Sequence, residues 1–159
     1  MLKYVDTEVV FRELPDEITL AINISNCPCN CPGCHSSYLS QDIGIPLTIE
    51  SLENLIEKNP GISAICFMGG DSNPKEISKL AKYLKEDSKY YLAVGWYSGR
   101  QELSNEIDLE YFNFIKLGPY IESLGGLDKE TTNQKMYLVR PDQELIDITE
   151  RLRNNTNRF

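Results

Sequence analysis

Apolar residues mark an alternation of strands and helices along the 159-residue chain. Residues 18–24 form an apolar run that predicts a strand leading into a cysteine-rich loop, and Leu52, Leu55 and Ile56 have helical spacing before Asn59-Pro60-Gly61 stops it. A second strand is predicted at 62–68. Asn73-Pro74-Lys75-Glu76 then supplies an N-cap, a first-turn proline and a glutamate three residues after the cap, with Ile77, Leu80, Ala81 and Leu84 on one helical face. Further predicted elements are a strand at 90–94, a helix within 101–111, strands at 114–117 and 135–139, and a C-terminal helix carrying Leu145, Ile148 and Leu152. No internal repeat, low-complexity segment or interdomain linker is visible.

Strands alternating with helices imply an α/β fold with a mostly parallel sheet and helices packed outside it. A complete eight-unit barrel usually needs ~250 residues. The expectation is therefore a single domain over residues 1–159, built as a partial, incomplete TIM-like barrel of about five or six parallel βα units, open on one side. In such sheets ligands gather at the carboxyl ends of the strands.

The chain is large enough to bury roughly 70% of the surface it exposes when unfolded. Its formal charge of -8 argues against non-specific binding to nucleic acid or to an anionic membrane, since both need a basic surface to neutralise phosphate. Residues 1–15 lack a positively charged start followed by an apolar stretch, and no apolar run approaches the ~20 residues of a membrane span. The cytoplasm is the expected compartment, with no nucleic acid and no membrane as partner.

The chemistry is concentrated in Cys27-Pro-Cys-Asn-Cys31-Pro-Gly-Cys34-His35. Five cysteines, four of them within eight positions, make a poor disulfide framework for a chain of this size and read instead as a metal site in a reducing compartment. Cys27, Cys31 and Cys34 follow a C-x3-C-x2-C frame. A four-iron cluster is normally held by four thiolates, and a tight loop that supplies three leaves one iron open to a small molecule. Gly69-Gly70-Asp71 follows the next apolar strand, so the two motifs fall at the same end of the sheet.

These two motifs resemble those of the radical S-adenosylmethionine superfamily, and Cys31-Pro-Gly-Cys34-His-Ser is similar to one small branch, the anaerobic ribonucleoside-triphosphate reductase activating proteins. Lys116-Leu-Gly-Pro-Tyr-Ile-Glu-Ser-Leu-Gly-Gly-Leu-Asp, then Thr132-Asn133-Gln134, also resembles that branch, as does a length near 160 residues. The resemblance implies a [4Fe-4S] cluster on Cys27, Cys31 and Cys34, with S-adenosyl-L-methionine on the fourth iron. It implies reductive cleavage to methionine and a 5′-deoxyadenosyl radical, which takes hydrogen from a glycine of the reductase large subunit and leaves a glycyl radical. An electron donor such as flavodoxin or ferredoxin would be needed. Radical chemistry of this kind belongs to the cofactor, so no side chain is expected to act as a catalytic acid or base.

Several residues carry two readings. Gly69 and Gly70 either let the backbone approach the methionine amino group or form a turn at a strand end. Asp71 either pairs with the methionine ammonium or caps the turn before the next helix. Gly33 allows a close pass of the backbone to the nucleoside or is a turn glycine, and His35, the sole histidine, flanks the adenine or is a plain loop residue. Cys29 permits a Cys29/Cys31/Cys34 set but departs from the family spacing, and is read as a bystander. Cys66, in an apolar strand, reads as core. Asn133 and Gln134 contact cofactor or partner, or are ordinary turn residues, while Trp96 and Tyr97 either line the pocket or pack. Glu102, Glu106, Asp108 and Glu110 read as a solvated helix face. Two other functions fit less of the pattern: a small radical enzyme acting on a metabolite, for example in deazapurine synthesis, and a non-catalytic zinc-binding interaction module completed by Cys29 or His35.

Overall fold

The apolar run before the cysteine loop forms a strand, Thr19–Ile24, in a computed structural model that describes residues 1–29, 31 and 37–153. In chain order the strands are β1 (Lys3–Val10), β2 (Thr19–Ile24), β3 (Ile45–Pro46), β4 (Ala64–Met68), β5 (Ala93–Tyr97), β6 (Phe114–Leu117), β7 (Lys135–Val139) and β8 (Leu145–Asp147); the α-helices are α1 (Ile49–Lys58) and α2 (Pro74–Lys82). All eight strands join one sheet in the order β3-β1-β2-β4-β5-β6-β7-β8. The centre is parallel, β2 with β4, β4 with β5 and β5 with β6, while β1, β3, β7 and β8 add antiparallel pairs at the two sides.

The parallel block thus has four strands where five or six parallel βα units were expected. The unit count falls short because the later connections carry no α-helix: β5 and β6 are joined through a 3-10 turn at Leu109–Tyr111, and β7 returns antiparallel to β6.

Both helices begin where their caps dictate. Thr48 and Ser51 form a reciprocal capping box, Thr48 Oγ1 accepting from Ser51 N at 3.1 Å and Ser51 Oγ accepting from Thr48 N at 2.7 Å. Asn73 Oδ1 accepts from Glu76 N at 3.3 Å, with Pro74 opening α2 as its sequence predicts. A π-helical turn at Tyr83–Asp87 extends α2 and carries the buried Leu84.

Three expectations need correction. The strand predicted at 90–94 lies at Ala93–Tyr97, because Ala93 pairs with Ala64 and Tyr91 is fully solvent-exposed. Residues 101–111 make only the single 3-10 turn; Glu102, Glu106, Asp108 and Glu110 are exposed, but on no α-helix. The C-terminal helix is replaced by β8 and a 3-10 turn at Thr149–Leu152. Its three apolar residues do not share a face: Leu145 packs with the core that covers the helices, whereas Ile148 and Leu152 join a second core.

Strand alternation creates those two cores. Ile65, Phe67, Val94, Trp96, Ile115 and Leu117 point to the helix-covered face with Leu52, Ile56, Ile77 and Leu80. The intervening positions Ala64, Cys66, Met68, Ala93, Tyr97 and Phe114 face a smaller cluster with Leu14, Leu127, Met136 and Leu152. No helix among the described residues is long and apolar enough to cross a membrane.

Candidate functional site

A cavity of about 540 Å³ opens beside the second core, at the carboxyl ends of the parallel strands. Ile24, the last residue of β2, and Met68, Tyr97 and Lys116, at or near the ends of β4, β5 and β6, contribute to its wall. This is where a parallel sheet splays its strand-to-loop connections and leaves room for a ligand.

Cys27, Cys29 and Cys31 all line this cavity, as do Gly69 and Asp71. The loop reaches it because Asn26 N–H donates to Gln41 O at 2.9 Å and Cys27 N–H to Leu39 O at 2.8 Å, anchoring the cysteine segment to the chain that returns to the sheet. All four described cysteines are free thiols. Among the described residues no three acidic, histidine or cysteine side chains are gathered closely enough to hold a metal ion; Gly33, Cys34 and His35 lie outside those residues. The donor chemistry present, soft thiols turned toward one cavity, fits an iron–sulfur cluster.

Gly69 and Gly70 adopt left-handed backbone at φ 102° and 91°. The turn is held by Gly69 N–H donating to Tyr97 O at 3.0 Å and by the Trp96 indole donating to Gly69 O at 2.6 Å. A Cβ on Gly70 would lie 2.6 Å from Ile77 Cδ1, so packing against α2 demands glycine there, and Gly70 is not part of the cavity wall.

The turn delivers Asp71, which is only 6% exposed. Its Oδ1 accepts from Ser98 Oγ at 2.5 Å and its Oδ2 from Gly99 N–H at 2.8 Å, while the Cys29 thiol lies 3.7 Å from Oδ2. Burial first, then the Asp71 carboxylate and Cys27, push the Cys29 thiol up to about 12 against the opposing pull of Arg100. Both effects favour the thiol form of Cys29 beside Asp71. A carboxylate offers about four acceptor sites, so these three contacts leave room for another donor.

Lys116 brings a second charge. Its ammonium, on a residue 7% exposed, donates to Ser98 O at 3.0 Å and Gly118 O at 2.9 Å and lies 5.8 Å from the centre of the Tyr97 ring. Gln134 is buried and lines the cavity with its amide nitrogen 3.5 Å from Gly118 O. Asn133 turns aside to donate to Pro119 O at 3.0 Å. Tyr97 lines the cavity and donates to Glu13 O at 2.6 Å, whereas Trp96 packs in the helix-side core. Cys66 is fully buried with its sulfur 3.5 Å from Met68 Sδ.

Ser98 and Lys116 have no role in the sequence reading. A visible signal for Lys116 is a lysine inside the apolar strand Phe114–Leu117, at a position whose alternation points away from Ile115 and Leu117. Nothing comparable marks Ser98, whose importance lies in contacts 27 residues away in the chain.

The chain belongs to the 4Fe-4S single cluster domain family, whose model matches residues 18–136, from the residue before β2 into β7. It is thus an iron–sulfur protein. No curated protein and no solved structure matches the chain.

Proposed function

We propose that this iron–sulfur domain is a radical S-adenosylmethionine enzyme that activates an anaerobic ribonucleoside-triphosphate reductase by forming a glycyl radical on its large subunit. The observation that carries the reading is the convergence of Cys27, Cys31, Gly69 and Asp71 on one cavity at the ends of parallel strands. The matched domain is also known in reductase-activating proteins of that kind. The four-strand parallel block, extended by antiparallel strands at both sides, is read in the same proposal as part of an incomplete barrel.

Cys27, Cys31 and Cys34 are the cluster ligands in this reading. When bound, the cluster and S-adenosylmethionine would supply one-electron cleavage of the sulfonium and a 5′-deoxyadenosyl radical. The chain's own residues bind and orient. Asp71 accepts the ligand's ammonium at its remaining acceptor site, and the buried Lys116 adds positive charge on the next wall, so the cavity suits a zwitterionic amino-acid headgroup. Gly69 keeps the cavity wall free of a side chain, while the nucleoside-side roles that the family resemblance implies for Gly33 and His35 fall on residues outside those described. Tyr97, Met68 and Leu127 contribute an apolar stretch of the cavity wall.

The test is anaerobic reconstitution with iron and sulfide, then reduction with S-adenosylmethionine present, with and without the cognate reductase. Deoxyadenosine should form, a glycyl-radical resonance should appear on the reductase, and both should vanish in Cys31→Ala together with most of the bound iron. A colourless zinc protein without cleavage would sink the proposal, and deoxyadenosine released in proportion to a small-molecule product with no partner would move it to another radical enzyme.

A further inference from the structure

We propose that Ser98, together with the main chain of Gly99, is a positioning residue that fixes the Asp71 carboxylate for an ammonium-bearing ligand. The inference rests on the proposed function, in which Asp71 meets the ammonium, and adds the group that aims it.

Two adjacent residues hold the two carboxylate oxygens, Ser98 Oγ at 2.5 Å from Oδ1 and Gly99 N at 2.8 Å from Oδ2. A carboxylate held at both oxygens by neighbouring donors just past a strand end must break one of those bonds to rotate about its terminal bond. Ser98 is itself held from every side. It is 1% exposed, its N–H donates to Lys116 O at 2.9 Å, its carbonyl accepts from Lys116 Nζ at 3.0 Å, and its hydroxyl oxygen accepts from Arg100 N–H at 3.0 Å. The hydroxyl proton is thereby directed at Asp71, since a serine has one proton to give and its acceptor side is already engaged.

Gly99 completes the arrangement by absence. A Cβ there would fall 2.7 Å from Cys29 Sγ and 3.1 Å from Cys29 Cβ, so the cysteine loop lies directly on the peptide that donates to Asp71. The segment after β5 therefore ties the Gly-Gly-Asp turn, the cysteine loop and Lys116 into one unit, and the direction of the Asp71 carboxylate is set from β5, not from its own turn.

The experiment uses the reconstituted protein without oxygen and measures binding by calorimetry for S-adenosylmethionine and for its analogue lacking the α-amino group. Ser98→Ala should weaken S-adenosylmethionine about tenfold, the scale of one hydrogen bond to a charged group, and leave the analogue unchanged. Ser98→Thr should restore binding, Asp71→Asn should reproduce the loss, and adding Ser98→Ala to Asp71→Asn should subtract nothing further. Equal weakening of both ligands, or unchanged binding in Ser98→Ala while Asp71→Asn is impaired, would overturn the positioning role. Failure of the unmodified protein to bind S-adenosylmethionine at all would instead overturn the proposed function, and this inference with it. A second readout needs no cluster: in the cluster-free protein, Gly99→Ala should raise alkylation of Cys29 severalfold in peptide mapping, and unchanged labelling would count against the contact.

Discussion

The two faces of the central strands are built from alternate residues of the same segments, yet one is a closed core and the other borders an open cavity. On β4 and β5 the helix side receives Ile65, Phe67, Val94 and Trp96, while the opposite side receives Ala64, Cys66, Met68, Ala93 and Tyr97. Branched and aromatic side chains fill the first face against α1 and α2; small, sulfur-bearing or hydroxyl-bearing ones line the second and leave about 540 Å³ open. The hydrophobic effect stabilises the sheet mainly from one side, which lets the other keep a cavity with buried charges without loss of the fold.

The sharpest way to break this comparison is a pair of neighbours. Phe67→Ala should destabilise the protein by about 3–5 kcal/mol through loss of burial and a cavity at a fully enclosed site. Cys66→Ala, one residue away on the other face, should cost only about 1 kcal/mol. Chemical denaturation of both variants decides it, and equal losses would mean that the faces share the stabilising load.

A second pair separates backbone strain from packing. Gly61 and Gly70 have nearly the same left-handed φ, 92° and 91°, but a Cβ meets nothing within 4 Å at Gly61 and meets Ile77 at Gly70. Gly61→Ala should cost about 1 kcal/mol from conformation alone, and Gly70→Ala about 3 kcal/mol because overpacking adds to it. Equal thermal shifts in the two variants would show that α2 yields at the turn.

The smallest effect lies at the sheet edge. Burial raises the Asp147 carboxyl, but donation from Thr149 Oγ1 at 2.6 Å and Thr149 N at 2.9 Å, with Lys135 nearby, outweighs it and holds the group below its ordinary range. A carboxylate with a lowered folded value contributes stability above the unfolded value of about 4 that is lost as pH falls through the folded one. Asp147→Asn should therefore flatten the acid limb of the stability profile slightly; an unchanged limb would show that solvent screens this half-exposed group.

Legibility in the sequence followed the same division. β2, β4, β6, β7 and the start of α2 could be read because apolar runs and the Asn73-Pro74 cap act locally. The phase of β5 could not, since Tyr90-Tyr91-Leu92 looks like strand and only pairing with β4 shows that it precedes one. β1 was missed because its side chains are mostly half-exposed or exposed and its place comes from pairing with β2 and β3. At the site, Cys27, Cys31, Gly69 and Asp71 announce themselves as motifs. Ser98 and Lys116 do not, because their meaning arises from contacts between strand ends.

Trp96 gives this architecture an optical consequence. It is the sole tryptophan, 1% exposed, and its indole is bonded to the carbonyl of Gly69, two residues before Asp71. Its emission should be that of an apolar environment, shift to the red when the sheet opens, and change intensity when the turn it grips is disturbed. The protein thus carries an intrinsic fluorophore wired to the Gly69-Gly70-Asp71 turn, able to report a disturbance there in real time with no label added.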